Sequence, residues 1–281
     1  MKFRALLFLA TALMCMALVG SLAYAHEGLH EQIAAVTAKI KRNPKNAVLY
    51  LQRGELYRLH RDWMRAAADY DRAERLQPSL KTIDLARGKL FFEANKFRRA
   101  KYMLDRFLSS QPEHYEGVVT RARVLAKLGE RSDAARDFTH ALSMSSESEP
   151  ELYVERAKVL AEDEQHISEA LQGLDEGINR LGPLVTLQLT AIDLELRRKD
   201  YNAALTRLDQ ITAQSERKEI WLVKRGEILT FAGKDDDARK AFTAALSAIE
   251  SLPAGNRHSR SVLALEIRAR SALGQQRSHR D

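Results

Sequence analysis

From Tyr50 to Pro78 the chain reads YLQRGELYRLHRDWMRAAADYDRAERLQP, and from Asp84 to Pro112 it reads DLARGKLFFEANKFRRAKYMLDRFLSSQP. Set against one another at a spacing of 34 residues, the two stretches match in kind. Arg53-Gly54 meets Arg87-Gly88, Tyr57 meets Phe91, Trp63 meets Phe97, Ala66 meets Ala100 and Tyr70 meets Leu104. Large and small residues recurring every three or four positions, broken by a polar turn, predict two amphipathic helices per stretch. The small residues let two antiparallel helices approach closely, and the large ones fill the space between neighbouring pairs.

The pattern extends in both directions. Proline lacks an amide hydrogen and disfavours helix in the residue before it, so it punctuates helical units. Pro44, Pro78 and Pro112 are 34 residues apart, Pro150 and Pro183 follow after 38 and 33, and Pro253 comes 70 later, about two units. A third unit carries Arg121-Ala122, Leu125, Ala134, Phe138 and Ala141. A fourth (Tyr153, Arg156-Ala157, Leu160, Ala170, Leu174, Gly177) needs one inserted residue in its turn. The fifth (Leu187, Ala191, Leu194, Tyr201, Ala204, Leu208, Ile211) lacks a closing proline and matches least well. The sixth restores the pattern with Arg225-Gly226, Leu229, Gly233, Ala238, Phe242 and Ala245.

This arrangement resembles the tetratricopeptide repeat family, whose unit is a 34-residue helix-turn-helix. The resemblance implies an all-α, right-handed α-solenoid of about six hairpins, at residues 46–79, 80–113, 114–148, 149–183, 184–217 and 218–253. Residues 26–45 read as a lone N-terminal helix (Leu29, Ile33, Val36, Ile40), and 255–274 as a C-terminal capping helix closed by Gly274. Both would cover the apolar faces that a solenoid leaves open at its ends. Residues 275–281 are expected to be a disordered tail.

Composition agrees with long helices. Of 281 residues, 45% are hydrophobic and 30% charged, with only 13 glycines and 6 prolines. That balance suits a folded chain and argues against a turn-rich β-sandwich. Residues 1–25 stand apart: Lys2 and Arg4, an uncharged run from Ala5 to Val19, then Ala23-Tyr24-Ala25. This is the three-part pattern of a secretory signal peptide, with cleavage expected after Ala25 and export to a bacterial periplasm or envelope. The competing reading is a retained anchor, since Ala5 to Ala25 is just long enough to span a bilayer. Cys15, the only cysteine, follows Met14 where a lipoprotein signal wants a small residue. The mature chain would have no disulfide and no membrane span. Losing Lys2 and Arg4 takes the formal charge from +7 to +5. For an exported chain, that charge points to acidic partners or anionic surfaces and away from nucleic acid.

Candidate binding residues follow from the family resemblance, in which the first helix of each unit lines a concave groove for a protein or peptide partner. The groove positions here would include Arg58, Lys89, Phe92, Arg123, Lys127, Lys158 and Phe231, with Leu51, Leu85, Val119, Val154 and Val223 beside them. Lys89, Arg123 and Lys158 recur at one position in three successive units, a basic stripe suited to an acidic or C-terminal peptide segment. The arginine before the small residue (Arg53, Arg87, Arg121, Arg156, Arg225) is expected to be structural. Asp69 and Asp137 are placed to pair with Arg53 and Arg121, while units two, four and six have no aspartate there.

Two further motifs compete with a pure scaffold. His26-Glu27-Gly28-Leu29-His30 matches the H-E-x-x-H string of zinc proteases, but no cleft or third ligand accompanies it. The same residues allow a simpler copper or zinc site, in which the free amine and imidazole of His26 act with His30 one turn along. Asp235-Asp236-Asp237 is expected to cap a helix, because acids there oppose the helix dipole. No phosphate loop, nucleophile elbow or catalytic carboxylate pair appears, so the sequence reading is a non-enzymatic binding scaffold.

Overall fold

A computed structural model describes residues 28–144 and 149–278. Among these residues all regular structure is helical. The elements are α1 (28–42), α2 (Ala47–Leu59), α3 (Trp63–Leu76), α4 (Thr82–Glu93), α5 (Phe97–Leu108), α6 (Tyr115–Leu128) and α7 (Arg131–Met144). They continue with α8 (Pro150–Leu160), α9 (Ile167–Leu181), α10 (Val185–Arg197), α11 (Tyr201–Gln214), α12 (Glu219–Phe231), α13 (Asp235–Glu250), α14 (Ala254–Arg257) and α15 (Arg260–Ser278). The chain divides into two compact units, residues 1–137 and 138–281. Residues 1–25, the expected signal peptide, and His26 lie outside the described residues.

The first unit stacks the hairpins α2–α3 and α4–α5 and then α6 in sequence. α1 buries Val36 and Ile40 against Leu56, with Leu49 and Tyr50 packed at the edge, so it covers the open side of α2 as expected of a lone terminal helix. The close approach within each hairpin rests on the small residues. A Cβ added to Gly54 would lie 2.4 Å from the Tyr70 ring, and one on Gly88 would lie 2.7 Å from Leu104. The second unit repeats the scheme with α8–α9, α10–α11 and α12–α13. Its end is closed by α15, which packs on α12 and α13 and buries Val262, Leu265 and Ala269.

The turns carry a second periodicity. Arg61, Asn95, Gly129, Lys199 and Gly233 all adopt positive φ, between 56° and 76°. Each stands two residues before the second helix of its hairpin. Counting seven residues back from each reaches Gly54, Gly88, Ala122 and Gly226 in four hairpins, but Ile192 in the fifth. The sequence alignment had placed Ala191 at that point. A large, fully buried isoleucine thus stands where the other hairpins have glycine or alanine, with the equally buried Ala191 beside it. In the fourth hairpin the extra turn residue is absorbed by a 3₁₀ turn, Glu164–His166.

Pro150 begins α8, the first helix of the unit expected at 149–183, at the first helical position, where its missing amide costs nothing. Two expectations need correction. Asp235, Asp236 and Asp237 lie inside the first turn of α13, and the capping position is Lys234, without a side-chain cap. Their carboxylates favour the positive end of the helix dipole, and Asp237 also accepts a hydrogen bond from Lys240 at 3.1 Å. α15 runs through Gly274 to Ser278, so part of the segment expected as a disordered tail is helical.

Candidate partner-binding surfaces

In the first unit the first helices α2, α4 and α6 lie side by side, and their polar residues are tied to one another. Arg58, expected to line the groove, is buried; it holds Glu55 at 3.0 Å on its own helix and pairs with Glu93 on α4. Lys89 bridges Glu55 at 3.1 Å and Glu116 of α6 at 2.9 Å. The Tyr70 hydroxyl donates a hydrogen bond to Glu55 as well. Burial works against the Glu55 carboxylate, yet hydrogen bonds from Arg58 and Tyr70 and the charges of Arg58 and Lys89 outweigh it, so its pKa is lowered. Burial and the adjacent Glu55 raise the Tyr70 phenol well above its ordinary value. The interior end of the expected basic stripe is thus neutralised from within.

The other expected residues vary in exposure. Phe92 is half-buried, with its ring centroid 6.1 Å from that of Phe97. Arg123 is half-buried and Lys127 exposed on α6; Lys158 is exposed on α8, in the second unit. Leu85, Val119 and Val223, expected to face outward, are buried in the packing between helices. Phe231, at the end of α12, is 69% exposed. It stands two residues before the left-handed Gly233, the same place that Leu59 holds before Arg61, and Leu59 is 56% exposed. The hairpins between them carry Glu93, Lys127 and Arg197 at this position.

The arginine before the small residue is structural, as the sequence suggests, and in more ways than the sequence shows. Arg53 clasps Asp69 through two bonds of 2.7 Å, and Arg121 clasps Asp137 at 2.7 and 2.9 Å. Both partners lie sixteen residues ahead. Arg87 instead reaches sixteen residues back, to Asp71 at 2.6 Å, and also holds Glu74 at 2.8 Å. Arg225 likewise reaches back, to Asp209, and Arg121 adds Asp105 behind it at 3.2 Å. Arg156 binds Glu176 at 2.8 Å and the Gly173 carbonyl at 3.2 Å. Units two, four and six, which lack the forward aspartate, therefore find their acid elsewhere. An aspartate sixteen residues before the arginine is visible in the sequence and would have identified two of them.

The fifth hairpin replaces the ladder by a buried cluster. Arg207 on α11 binds Glu195 at 2.5 Å and Asp175 at 2.8 Å, and Gln188 bonds to Gln210 at 2.9 Å. Burial raises the Glu195 pKa against the opposing pull of Arg207. Nothing in the helical periodicity marked these residues, because Gln188 and Glu195 occupy positions that read as ordinary polar helix.

At the N-terminal end, His30 is exposed on α1 and its ring centroid lies 4.7 Å from that of His60. No group of three or more histidine, cysteine, aspartate or glutamate side chains among the described residues is arranged to hold a metal ion. No helix among them is long and apolar enough to cross a membrane.

Comparison with known proteins matches the same architecture. A family model described as a tetratricopeptide repeat-like domain matches residues 148–266, and another described as a tetratricopeptide repeat matches residues 85–138. No curated protein sequence matches the chain. Among solved structures, the C-terminal part of a repeat-containing protein from Cytophaga hutchinsonii aligns with a TM-score of 0.65 at 10% identity, covering 85% of this chain and 94% of its own. A tetratricopeptide repeat protein from Parabacteroides merdae aligns at 0.52 and 19% identity, covering 89% and 95%. YrrB, described as having an unusual peptide-binding site, aligns at 0.54 and 23% identity, covering 64% and 91%. At these identities the structures speak for the fold. With the repeat spacing, the small-residue contacts and the two family models in agreement, the chain belongs to the tetratricopeptide repeat family.

Proposed function

We propose that the protein is a non-enzymatic scaffold of the bacterial periplasm or envelope that binds peptide segments on the first-helix faces of its hairpins. The observation that carries this reading is the pair Leu59 and Phe231. They are large apolar side chains at one repeat position, both more than half exposed, and neither fills any core. An exposed aromatic on a rigid helix end is the kind of anchor that dominates peptide binding. Around Phe231 the polar setting is Glu227 paired with Arg268, with Thr230 alongside. The cations available to an acidic peptide are Lys127 and Lys158, since Arg58 and Lys89 are committed to glutamates. YrrB's description as a peptide binder is in keeping with this reading.

Selection from a displayed peptide library tests it. Peptides chosen by the chain should bind Phe231→Ala or Leu59→Ala at least tenfold more weakly, about 1.4 kcal/mol or more, with helicity unchanged. Failure to select any peptide, or equal binding by both variants, would sink the scaffold reading.

The closeness of His30 and His60 favours a second reading, a copper or zinc site at the N-terminal end using these imidazoles together with His26. Calorimetric titration with copper should show one tight site that is weakened by His60→Ala as much as by His30→Ala. Unchanged affinity in His60→Ala would remove the structural argument for it.

A further inference from the structure

The two units differ in charge. Residues 28–137 hold 23 lysines and arginines against 14 aspartates and glutamates, an excess of nine positive charges. Residues 138–281 hold 20 against 23. The excess in the first unit does not reside in its arginine ladder or the Glu55 network, where acids neutralise the cations. The largest local excess is at residues 96–108, where Lys96, Arg98, Arg99, Lys101 and Arg106 stand against the single acid Asp105, while residues 61–76 are balanced with four cations and four acids. Arg61, Arg72 and Arg75, on α3 and its leading turn, and Lys96, Arg98 and Arg99, at the start of α5, are exposed and have no acidic partner among the described residues.

Apolar surface is interleaved with these charges. Met64 on α3 is 86% exposed and Tyr102 on α5 is 60% exposed. Arg98 and Arg99 stand between two shallow hollows of about 490 and 400 Å³, floored by Phe97 and Leu128 on one side and by Phe91, Tyr102 and Met103 on the other. The Arg99 guanidinium lies 5.9 Å from the Phe91 ring centroid, and that of Arg106 lies 5.9 Å from the Tyr102 ring. Rings that support guanidinium groups leave the polar edges of those groups free for phosphate.

We propose that this face of residues 28–137, centred on Arg98, Arg99 and Tyr102, docks on an anionic lipid surface. Three features favour a lipid bilayer over an acidic peptide. The unpaired cations are spread over two helices rather than gathered round one carboxylate-sized hollow. Met64 protrudes, as side chains that enter a headgroup layer do, and Tyr102 keeps more than half of its surface exposed at the edge of its hollow. The hollows are open and shallow, so they would take headgroups lying against a plane. Attraction of this kind grows by roughly fivefold in affinity per lysine or arginine near the surface and falls with salt.

The test is vesicle co-sedimentation of the chain from residue 26 onward, with phosphatidylcholine alone and with phosphatidylcholine containing phosphatidylglycerol. The expected result is partition onto the anionic vesicles alone, weakened by salt. Arg98→Gln/Arg99→Gln should lower it about thirtyfold, at roughly fivefold per charge. Tyr102→Ser should lower it with net charge unchanged, and Lys240→Gln in the other unit should leave it unaltered. Absence of binding, equal binding to neutral vesicles, or an unaffected double variant would overturn the proposal. Binding of soluble polyglutamate through the same arginines, without binding of vesicles, would overturn it in favour of an acidic polypeptide.

Discussion

The same arginine is used differently in the two units, although both are built from the same repeat. In residues 28–137 Arg53 and Arg121 each grip an almost buried aspartate through two short bonds. In residues 138–278 Arg225 makes one exposed contact with Asp209, Arg156 leans on a half-exposed Glu176, and the fifth hairpin has no such arginine. In the fifth hairpin the second unit instead has Arg207 between the buried Glu195 and the half-exposed Asp175. A repeat family thus keeps its apolar spacing while its polar bracing changes, because the small and large residues decide whether helices can approach at all. The ion pairs only tune a packing that already exists.

The strongest way to test this contrast is at Arg207. Its removal leaves Glu195, 5% exposed, without a counter-charge, and loss of one partner of a buried pair costs about 3–5 kcal/mol. Arg207→Ala should therefore destabilise the second unit by that amount in urea unfolding followed by hydrogen exchange. Arg121→Ala should cost less, about 1–3 kcal/mol: Asp137 loses two hydrogen bonds, while Asp105, the second acid of Arg121, keeps Lys101 at 3.7 Å. Arg225→Ala should cost about 0–1 kcal/mol, the range for an exposed pair. If Arg225 and Arg121 proved equal, the distinction between the two ladders would fail.

Acid titration sharpens the same comparison, because Glu55 in the first unit and Glu195 in the second respond in opposite directions. The Glu55 pKa is lowered, so its contribution is fully present above the ordinary glutamate value of 4.5 and is lost as pH falls through the folded value. The destabilisation caused by Glu55→Gln should accordingly shrink on acidification. The Glu195 pKa is raised, so its contribution is present below 4.5 and is lost as pH rises through the folded value. The stability difference between Glu195→Gln and the parent should move in favour of the variant as pH rises. Matching pH trends for the two substitutions would contradict the structure.

A small effect of the opposite sign is expected at the turns. Arg61 and Lys199 hold left-handed backbone that glycine adopts without strain, and Gly129 and Gly233 fill the same place in other hairpins. Lys199→Gly and Arg61→Gly should each raise stability by about 0.5–1 kcal/mol, one in each unit, as read from the shift of the urea midpoint. A gain in one and a loss in the other would show that a side-chain contact, rather than the turn, decides.

The repeat was legible from residues 50–112 because proline spacing and the small-residue positions are consequences of helix geometry alone. The forward pairs Arg53–Asp69 and Arg121–Asp137 were legible for the same reason: both ends lie within one hairpin. Backward pairs such as Arg87–Asp71 cross from one hairpin to the previous one, so they need the stacking to be known. The groove was read less well. Arg58 and Lys89 share the helix face expected to meet a partner, but glutamates from neighbouring helices arrive first.

By itself, then, the sequence determined the fold class, the length of the unit, the terminal helices and the structural role of the repeated arginine, all of which follow from periodicity along one chain. Tertiary structure alone decided which cations stay free, why Ile192 replaces a small residue, and where Glu195 is buried. Those outcomes depend on side chains that meet only when hairpins stack, at separations no periodicity records.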